Sequence, residues 1–158
     1  MPEETAGYRR EESEAERLDR NYGELLQELR VAQAGVQILF AFLLTIAFQP
    51  RFATLDTYQQ DFYIAVLISS AIAVICFTAP VAAHRVVFRK GVKDSLVTFT
   101  SRVASAGLVF LVTSVLGGVL LVVDLLLNLA ASLIIVGALL VLVLVVWVVI
   151  PYRLRARD

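Results

Sequence analysis

The sequence predicts an all-α integral membrane protein, a bundle of four transmembrane helices with both chain termini in the cytoplasm. Hydrophobic residues make up 59% of the chain and charged residues 18%, against about half and about a quarter in an ordinary soluble domain. The apolar residues gather in four long blocks. The basic residues lie between these blocks in the uneven pattern that sets the orientation of a membrane protein.

Four spans are predicted because each block holds about as many apolar residues as a helix needs to cross the hydrocarbon core of a bilayer. The expected spans are residues 31–48, 62–83, 103–123 and 129–150. They belong to one domain, residues 18–158, which follows an acidic tail at residues 1–17. The tail has few residues that drive burial, so it is predicted to be disordered.

The first helix is expected to start in water near Leu18 and to end in the membrane near Phe48. Its opening half carries an apolar stripe with helical spacing, and polar residues fill its other faces. A helix that lies on a membrane surface usually carries Lys and Arg on its polar face, whereas this one is acidic. We therefore interpret the stripe as a cytoplasmic interaction face, which packs on helices of the same chain or of another subunit. Its members are Leu18, Tyr22, Leu25, Leu26 and Leu29.

Two glutamines, Gln33 and Gln37, lie near the cytoplasmic end of the first span. A side-chain amide in hydrocarbon needs a hydrogen-bond partner, so their face is expected to point into protein. The favoured interpretation is that these amides join helices, and the alternative is a polar lining for an ion or proton path. Gly35 and Ala41 are small enough to let another helix approach closely.

The second helix is expected to start at a capping box formed by Thr57 and Gln60. Tyr63, soon after, lies where an interfacial aromatic belt is expected. His84 marks the exit from the span and is a candidate sensor of cytoplasmic pH, since imidazole changes charge near neutrality. An interfacial histidine without such a role is the plainer alternative.

The third span carries small residues on one side, which favour close helix packing. They are Ser114, Gly117 and Gly118. The apolar period starts before this span at Leu96 and Phe99, so helices 1–3 are all expected to extend into the cytoplasm. The fourth span is almost entirely Leu, Val, Ile and Ala, which predicts contact with lipid over much of its surface.

Asp124 is an acidic residue within an apolar block, at the end of the third span. Near the membrane surface a charge is much less costly than at the midplane. It is therefore expected to pair with Arg51 or to cap the loop. The alternative is a carboxylate that binds and releases a coupling ion.

Basic residues decide the predicted orientation. The two loops on the other side of the membrane hold only Arg51. The positive-inside rule then places both termini in the cytoplasm, and an even number of spans agrees with that placement. The loop between the second and third spans and the C-terminus hold Arg85, Arg89, Lys90, Lys93, Arg102, Arg153, Arg155 and Arg157.

The stretch RNYGELLQELRV at residues 20–31, with FQPRF at 48–52, resembles the opening of a family of small actinobacterial membrane proteins, a domain of unknown function. The resemblance continues through APVAAHR at 79–85, so it spans most of the chain. It implies a multi-pass protein of the bacterial cytoplasmic membrane. Some members carry an automatic label of sodium/proton antiporter, and the family supplies no catalytic residues.

Catalysis and nucleic-acid binding are not expected. The single His and the single Cys have no metal-ligand spacing around them. The chain contains no phosphate loop, dinucleotide-binding turn or HExxH motif, and no basic stripe with interleaved aromatic residues. No cofactor or metal is expected.

The predicted function is a non-catalytic scaffold or accessory subunit in the lipid bilayer, which forms a homo-oligomer or joins a larger membrane complex. The alternative is a small proton- or sodium-coupled transporter or channel that uses Asp124 and the face of Gln33 and Gln37. Small four-span proton-coupled carriers place a glutamate in the middle of the first span, where this chain has only the two glutamines.

Overall fold

The computed structural model describes residues 14–87 and 93–156. Within these ranges the chain is helical apart from short connections and contains no strand, which confirms the all-α fold class. The elements are α1 (Glu14–Ile46), a 3-10 turn (Pro50–Thr54), α2 (Thr57–Val87), α3 (Lys93–Leu126), α4 (Leu129–Leu144), a π-helical turn (Val145–Val149) and α5 (Ile150–Arg155). The predicted tail, residues 1–17, lies mostly outside the described residues, and α1 begins at Glu14.

Four helical segments are long and apolar enough to cross a membrane, as predicted. They are Gly23–Ile46, Thr57–Ala83, Leu96–Leu126 and Leu129–Arg155. The first three helices hold 33, 31 and 34 residues, so each is about 46 to 51 Å long at a rise of about 1.5 Å per residue. Because the hydrocarbon core of a bilayer is about 30 Å thick, α1, α2 and α3 all extend beyond it.

The last helix continues past Pro151, whereas the prediction ended the fourth span just before this residue. Proline lacks an amide hydrogen, and its ring clashes with the carbonyl four residues earlier in a regular α-helix. Here the π-helical turn precedes it, and the Ile150 N–H donates to the Val145 carbonyl five residues back. The wider turn accommodates the proline, so α4, the turn and α5 form one helix that ends at Arg155.

α2 and α3 form the central pair of the bundle, α1 packs against both, and α4 packs against α3. Short connections make consecutive helices antiparallel. We call the end that holds the start of α1, the last turn of α2 and the first turn of α3 the basic end. The opposite end, with the 3-10 turn and the connection between α3 and α4, is the loop end.

Two apolar clusters fill the core, one towards each end. The cluster towards the basic end contains Leu29, Val36, Ala73, Phe77 and Ala104. The cluster towards the loop end contains Leu43, Tyr63, Val66 and Leu121. The fourth span contributes to neither cluster, and none of its most apolar stretch of 18 residues is buried within the chain.

α2 is capped by Asp56, and the capping box predicted from Thr57 and Gln60 is wrong by one residue. The Gln59 N–H donates to the Asp56 carboxylate at 2.8 Å, and the Asp56 N–H donates to the Gln59 side-chain oxygen at 3.3 Å. An aspartate accepts at this position as well as a threonine does, and Thr57 is already helical. The Gln60 amide donates instead to the Leu55 carbonyl at 3.0 Å.

Candidate functional site

Asp124 lies at the loop end, in the last turn of α3 and half-buried. Its carboxylate accepts a hydrogen bond from the Gln59 side-chain nitrogen at 3.0 Å. The oxygen of the same amide accepts from the Asp56 N–H. One glutamine therefore joins the cap of α2 to the carboxylate of α3, and the expected partner Arg51 does not take this place within the described chain.

The carboxylate lies close to the end of the third apolar helix, two residues before Leu126. At that depth it is near the membrane surface, where a charge is less costly than at the centre of the bilayer. A partly exposed carboxylate that accepts from a neutral amide is well suited to tie two helices together.

Gln33 and Gln37 lie on a different part of the bundle. Val36 is fully buried, and Leu29 and Leu43, seven residues away on either side, are buried as well, so they mark the inward face of α1. Gln33 is half-buried at the edge of this face, and Gln37 is exposed. Neither amide has a hydrogen-bond partner among the described residues.

The structure therefore does not bring the three candidate ion-path residues together. Gln37 neighbours Val36, which belongs to the cluster towards the basic end. Asp124 lies beside Leu125, which packs on the cluster towards the loop end. A continuous path between them would have to cross the packed core of the bundle.

Hydroxyl groups inside the bundle bond to backbone carbonyls. Ser114 donates to the Phe110 carbonyl at 2.8 Å, and Ser69 of α2 donates to the same carbonyl at 3.1 Å. Ser70 and Ser132, both fully buried, donate to carbonyls three residues earlier in their own helices. These polar groups therefore serve the packing of α2, α3 and α4.

Thr100 is the exception among these hydroxyls. It is fully buried, and its side-chain oxygen has no hydrogen-bond partner in the described part of the chain. It lies one turn before Ala104, a member of the cluster towards the basic end. A buried hydroxyl without a partner lowers stability, because it has lost its bonds to water without replacement.

The predicted helix-packing residues fall into two groups. Ser114 and Gly117 are buried, and a Cβ on Gly117 would lie 2.5 Å from Val66 Cγ2. A Cβ on Gly35 or Gly118 would meet nothing within 4 Å, and Ala41 is exposed. The first group lies at the contact between α2 and α3, and the second lies on open faces of the single chain.

Gly107 is not among the predicted helix-packing residues, although it also lies at the contact between α2 and α3. A Cβ there would lie 2.8 Å from the Phe77 ring, so only glycine fits the present backbone spacing. The signal that would have found it is a spacing of seven residues, since Thr100, Gly107 and Ser114 are all buried. Such a spacing marks one face of a helix.

The predicted cytoplasmic interaction face packs partly within the chain. Leu29 is buried in the cluster towards the basic end, and Leu25 packs against it. Leu26 is half-buried. The side chains of Leu18, Tyr22 and His84 lie outside the described residues, so the pH-sensing role of His84 stays a prediction.

No three His, Cys, Asp or Glu side chains in the described ranges lie together as a metal site. The free Cys76 is half-buried, and its Cβ lies 3.1 Å from where a Cβ on Gly107 would be. It is thus a packing residue of the pair formed by α2 and α3.

The family model of DUF6328, a family of unknown function, matches residues 11–151. The chain belongs to this family. The match of DUF6328 extends from before α1 into the fourth span and includes both Gln59 and Asp124. No curated protein and no solved structure matches the chain. Membership of DUF6328 agrees with a membrane protein of four apolar helices.

Proposed function

We propose that this protein is a non-catalytic membrane scaffold or accessory subunit that works as an oligomer or within a larger membrane complex. The observation that carries the proposal is that the buried serine side chains bond within the chain, while an amide that is unpaired within the described chain lies on its outer surface. Buried serines bond to backbone carbonyls, whereas the amide of Gln37 is exposed on α1 and has no hydrogen-bond partner among the described residues. A transport site needs polar groups that converge inside the protein, while an assembly subunit presents them to its neighbours.

The proposed location is the bacterial cytoplasmic membrane, with both termini in the cytoplasm. The distribution of basic residues supports this orientation under the positive-inside rule. Arg85 and Arg102 lie at the basic end, and the last turn of α5 carries Arg153 and Arg155. In this orientation one end of each of α1, α2 and α3 extends into the cytoplasm. Leu25 and Leu29 pack within the chain near this end of α1.

The experiment that tests this function is the mass of the purified protein in mild detergent, with any co-purifying chain identified. The chain has a mass of 17.4 kDa. We expect either a defined multiple of this mass or a reproducible complex with another membrane protein. A single chain without a partner, together with ion flux in vesicles, would contradict the proposal.

A truncated protein provides a second test of this function. Deletion of the residues before Leu29 removes the start of α1, including Leu25, which packs against the basic-end cluster. We expect this deletion to disrupt assembly. Its matched control is Asp124→Asn, which keeps an acceptor for Gln59 and is expected to leave assembly intact.

The alternative function is a small proton- or sodium-coupled transporter or channel. It draws on one observation, the half-buried carboxylate of Asp124 within the third apolar helix, and on the antiporter label of the actinobacterial family that the chain resembles. Under this alternative Asp124→Asn abolishes flux in proteoliposomes. The bond to Gln59 and the separation from Gln33 and Gln37 favour the scaffold.

A further inference from the structure

The exposed side of α1 carries a second stripe with helical spacing, separate from the buried stripe of Leu29, Val36 and Leu43. Its members are Arg30, Ala34, Gln37, Ala41 and Leu44, all exposed. The spacing alternates between four and three residues, which is the pattern of a helix that packs along a neighbouring helix. We call it the Gln37 stripe.

Gln37 is the polar centre of this stripe. It lies six residues beyond Val31, where the predicted span begins, which is about 9 Å into the membrane at 1.5 Å per residue. Its amide is exposed and has no hydrogen-bond partner among the described residues. Hydrocarbon offers neither donors nor acceptors, so such an amide is stabilised by a partner from another helix.

We propose that two copies of the chain pair through the Gln37 stripe, with the two Gln37 amides hydrogen-bonded to each other. Two copies in one membrane share the same orientation, so a two-fold axis along the membrane normal sets their α1 helices parallel and in register. The same residue then faces itself across the axis. An amide carries both a donor and an acceptor, so two glutamines satisfy each other.

The neighbours of Gln37 on the stripe permit this contact. Ala34 and Ala41, one turn to either side, have side chains short enough for the two helix backbones to approach. The inference rests on the proposed function, because it names the surface and the partner through which the oligomer forms. The partner is a second copy because an amide that faces the same amide across a two-fold axis meets both a donor and an acceptor there.

The other apolar surfaces exposed on α1 and on the fourth span do not require a protein partner. Phe42 and Val31 are 67% and 74% exposed, but they lie on a different side of α1, about 120 to 140° around the helix from Gln37 at 3.6 residues per turn. The exposed residues of the fourth span from Leu133 to Ile150 are apolar as well. Lipid covers such surfaces without loss of hydrogen bonds.

Cysteine crosslinking in native membranes tests the pairing. Cys76 is first replaced by Ala, which keeps the Cβ that packs near Gly107. We expect Gln37→Cys and Ala41→Cys to give a covalent dimer of two 17.4 kDa chains on brief oxidation. The matched control is Phe42→Cys, which lies in the same span and is 67% exposed, and we expect it to stay monomeric.

A second experiment measures how much the Gln37 amide contributes to the affinity of the dimer. We expect Gln37→Leu to raise the dimer dissociation constant roughly threefold to tenfold, the effect of losing an interhelical hydrogen bond in a membrane. A leucine side chain is stable in contact with lipid, so this variant should fold. Gln37→Asn keeps the amide and is expected to retain most of the affinity.

Equal crosslinking at Ala41 and Phe42 would reveal random collision and overturn the proposal, as would an absence of dimer at both Gln37 and Ala41. An adduct that contains a foreign chain would also overturn it but would leave the accessory-subunit function in place. A protein that stays a lone chain both in crosslinking and in detergent would overturn the pairing and the proposed function together.

Discussion

Asp124 and Gln59, 65 residues apart in the chain, are joined by a hydrogen bond of 3.0 Å between carboxylate and amide. The same glutamine completes the cap of α2 with Asp56. The bond therefore closes the loop end of the central helix pair, where α3 ends and α2 begins. A charged acceptor strengthens such a bond relative to a neutral one.

Replacement of Asp124 is expected to act on stability rather than on flux. Asp124→Ala leaves the Gln59 amide without its acceptor and should lower the free energy of unfolding by about 1 to 2 kcal/mol. Asp124→Asn keeps an oxygen acceptor and should cost less. Unfolding in detergent measures both variants, and proteoliposome flux that disappears with Asn would support the transporter alternative.

Two adjacent glycines of α3 should respond oppositely to alanine. A Cβ on Gly117 would lie 2.5 Å from Val66 Cγ2, whereas a Cβ on Gly118 would meet nothing within 4 Å. Gly117→Ala should therefore force α2 and α3 apart and cost about 1 to 3 kcal/mol. Gly118→Ala should be neutral or slightly stabilising, since alanine favours helix.

Thermal unfolding of the two variants in the same detergent checks this pair. A similar loss of stability at Gly117 and Gly118 would mean that both faces of α3 are covered, in conflict with the open space around Gly118.

Thr100→Val is expected to stabilise the protein. The Thr100 hydroxyl is buried and has no partner within the ranges that the structure describes, and valine has nearly the same shape without the polar group. The gain should be about 1 kcal/mol. The control is Thr113→Val, because the exposed Thr113 hydroxyl already donates to the Val109 carbonyl at 2.9 Å. A loss of stability at Thr100 would show that its hydroxyl has a partner in the membrane-embedded protein.

Tyr63→Phe should weaken the junction between α1 and α2. Tyr63 is 2% exposed, its hydroxyl donates to the Leu43 carbonyl, and its ring meets Phe52 edge-on at 4.9 Å. Loss of the buried hydrogen bond should cost about 1 kcal/mol. Tyr58→Phe, at an exposed position five residues earlier, should be neutral in the same unfolding measurement.

Tyr63 also marks a difference between expectation and structure. Its position near the start of the second span predicted an interfacial belt, and instead the ring fills the core beside Leu43 and Leu121. An aromatic residue at the end of a span suits either place, because its body is apolar and its tip is polar. Contact with α1, which the local sequence does not reveal, selects the buried position.

The sequence by itself determined the helical class and the number of spans. Both depend on local properties, since a run of apolar residues long enough to cross a bilayer must bond its backbone internally. The local sequence predicts the connections between the helices less well. Asp56 takes the cap that Thr57 was expected to form, and the π-helical turn carries the last helix through Pro151.

Only the tertiary structure decided which polar groups meet and which glycine faces a neighbour. The partner of Asp124 is Gln59 and not Arg51, and Gly117 is covered while Gly118 is open. The physical reason is that membrane helices are apolar on nearly every side, so the hydrophobic pattern marks their inward face only weakly. The rotation of each helix about its axis is then set by packing against the others, and that rotation selects the contacts.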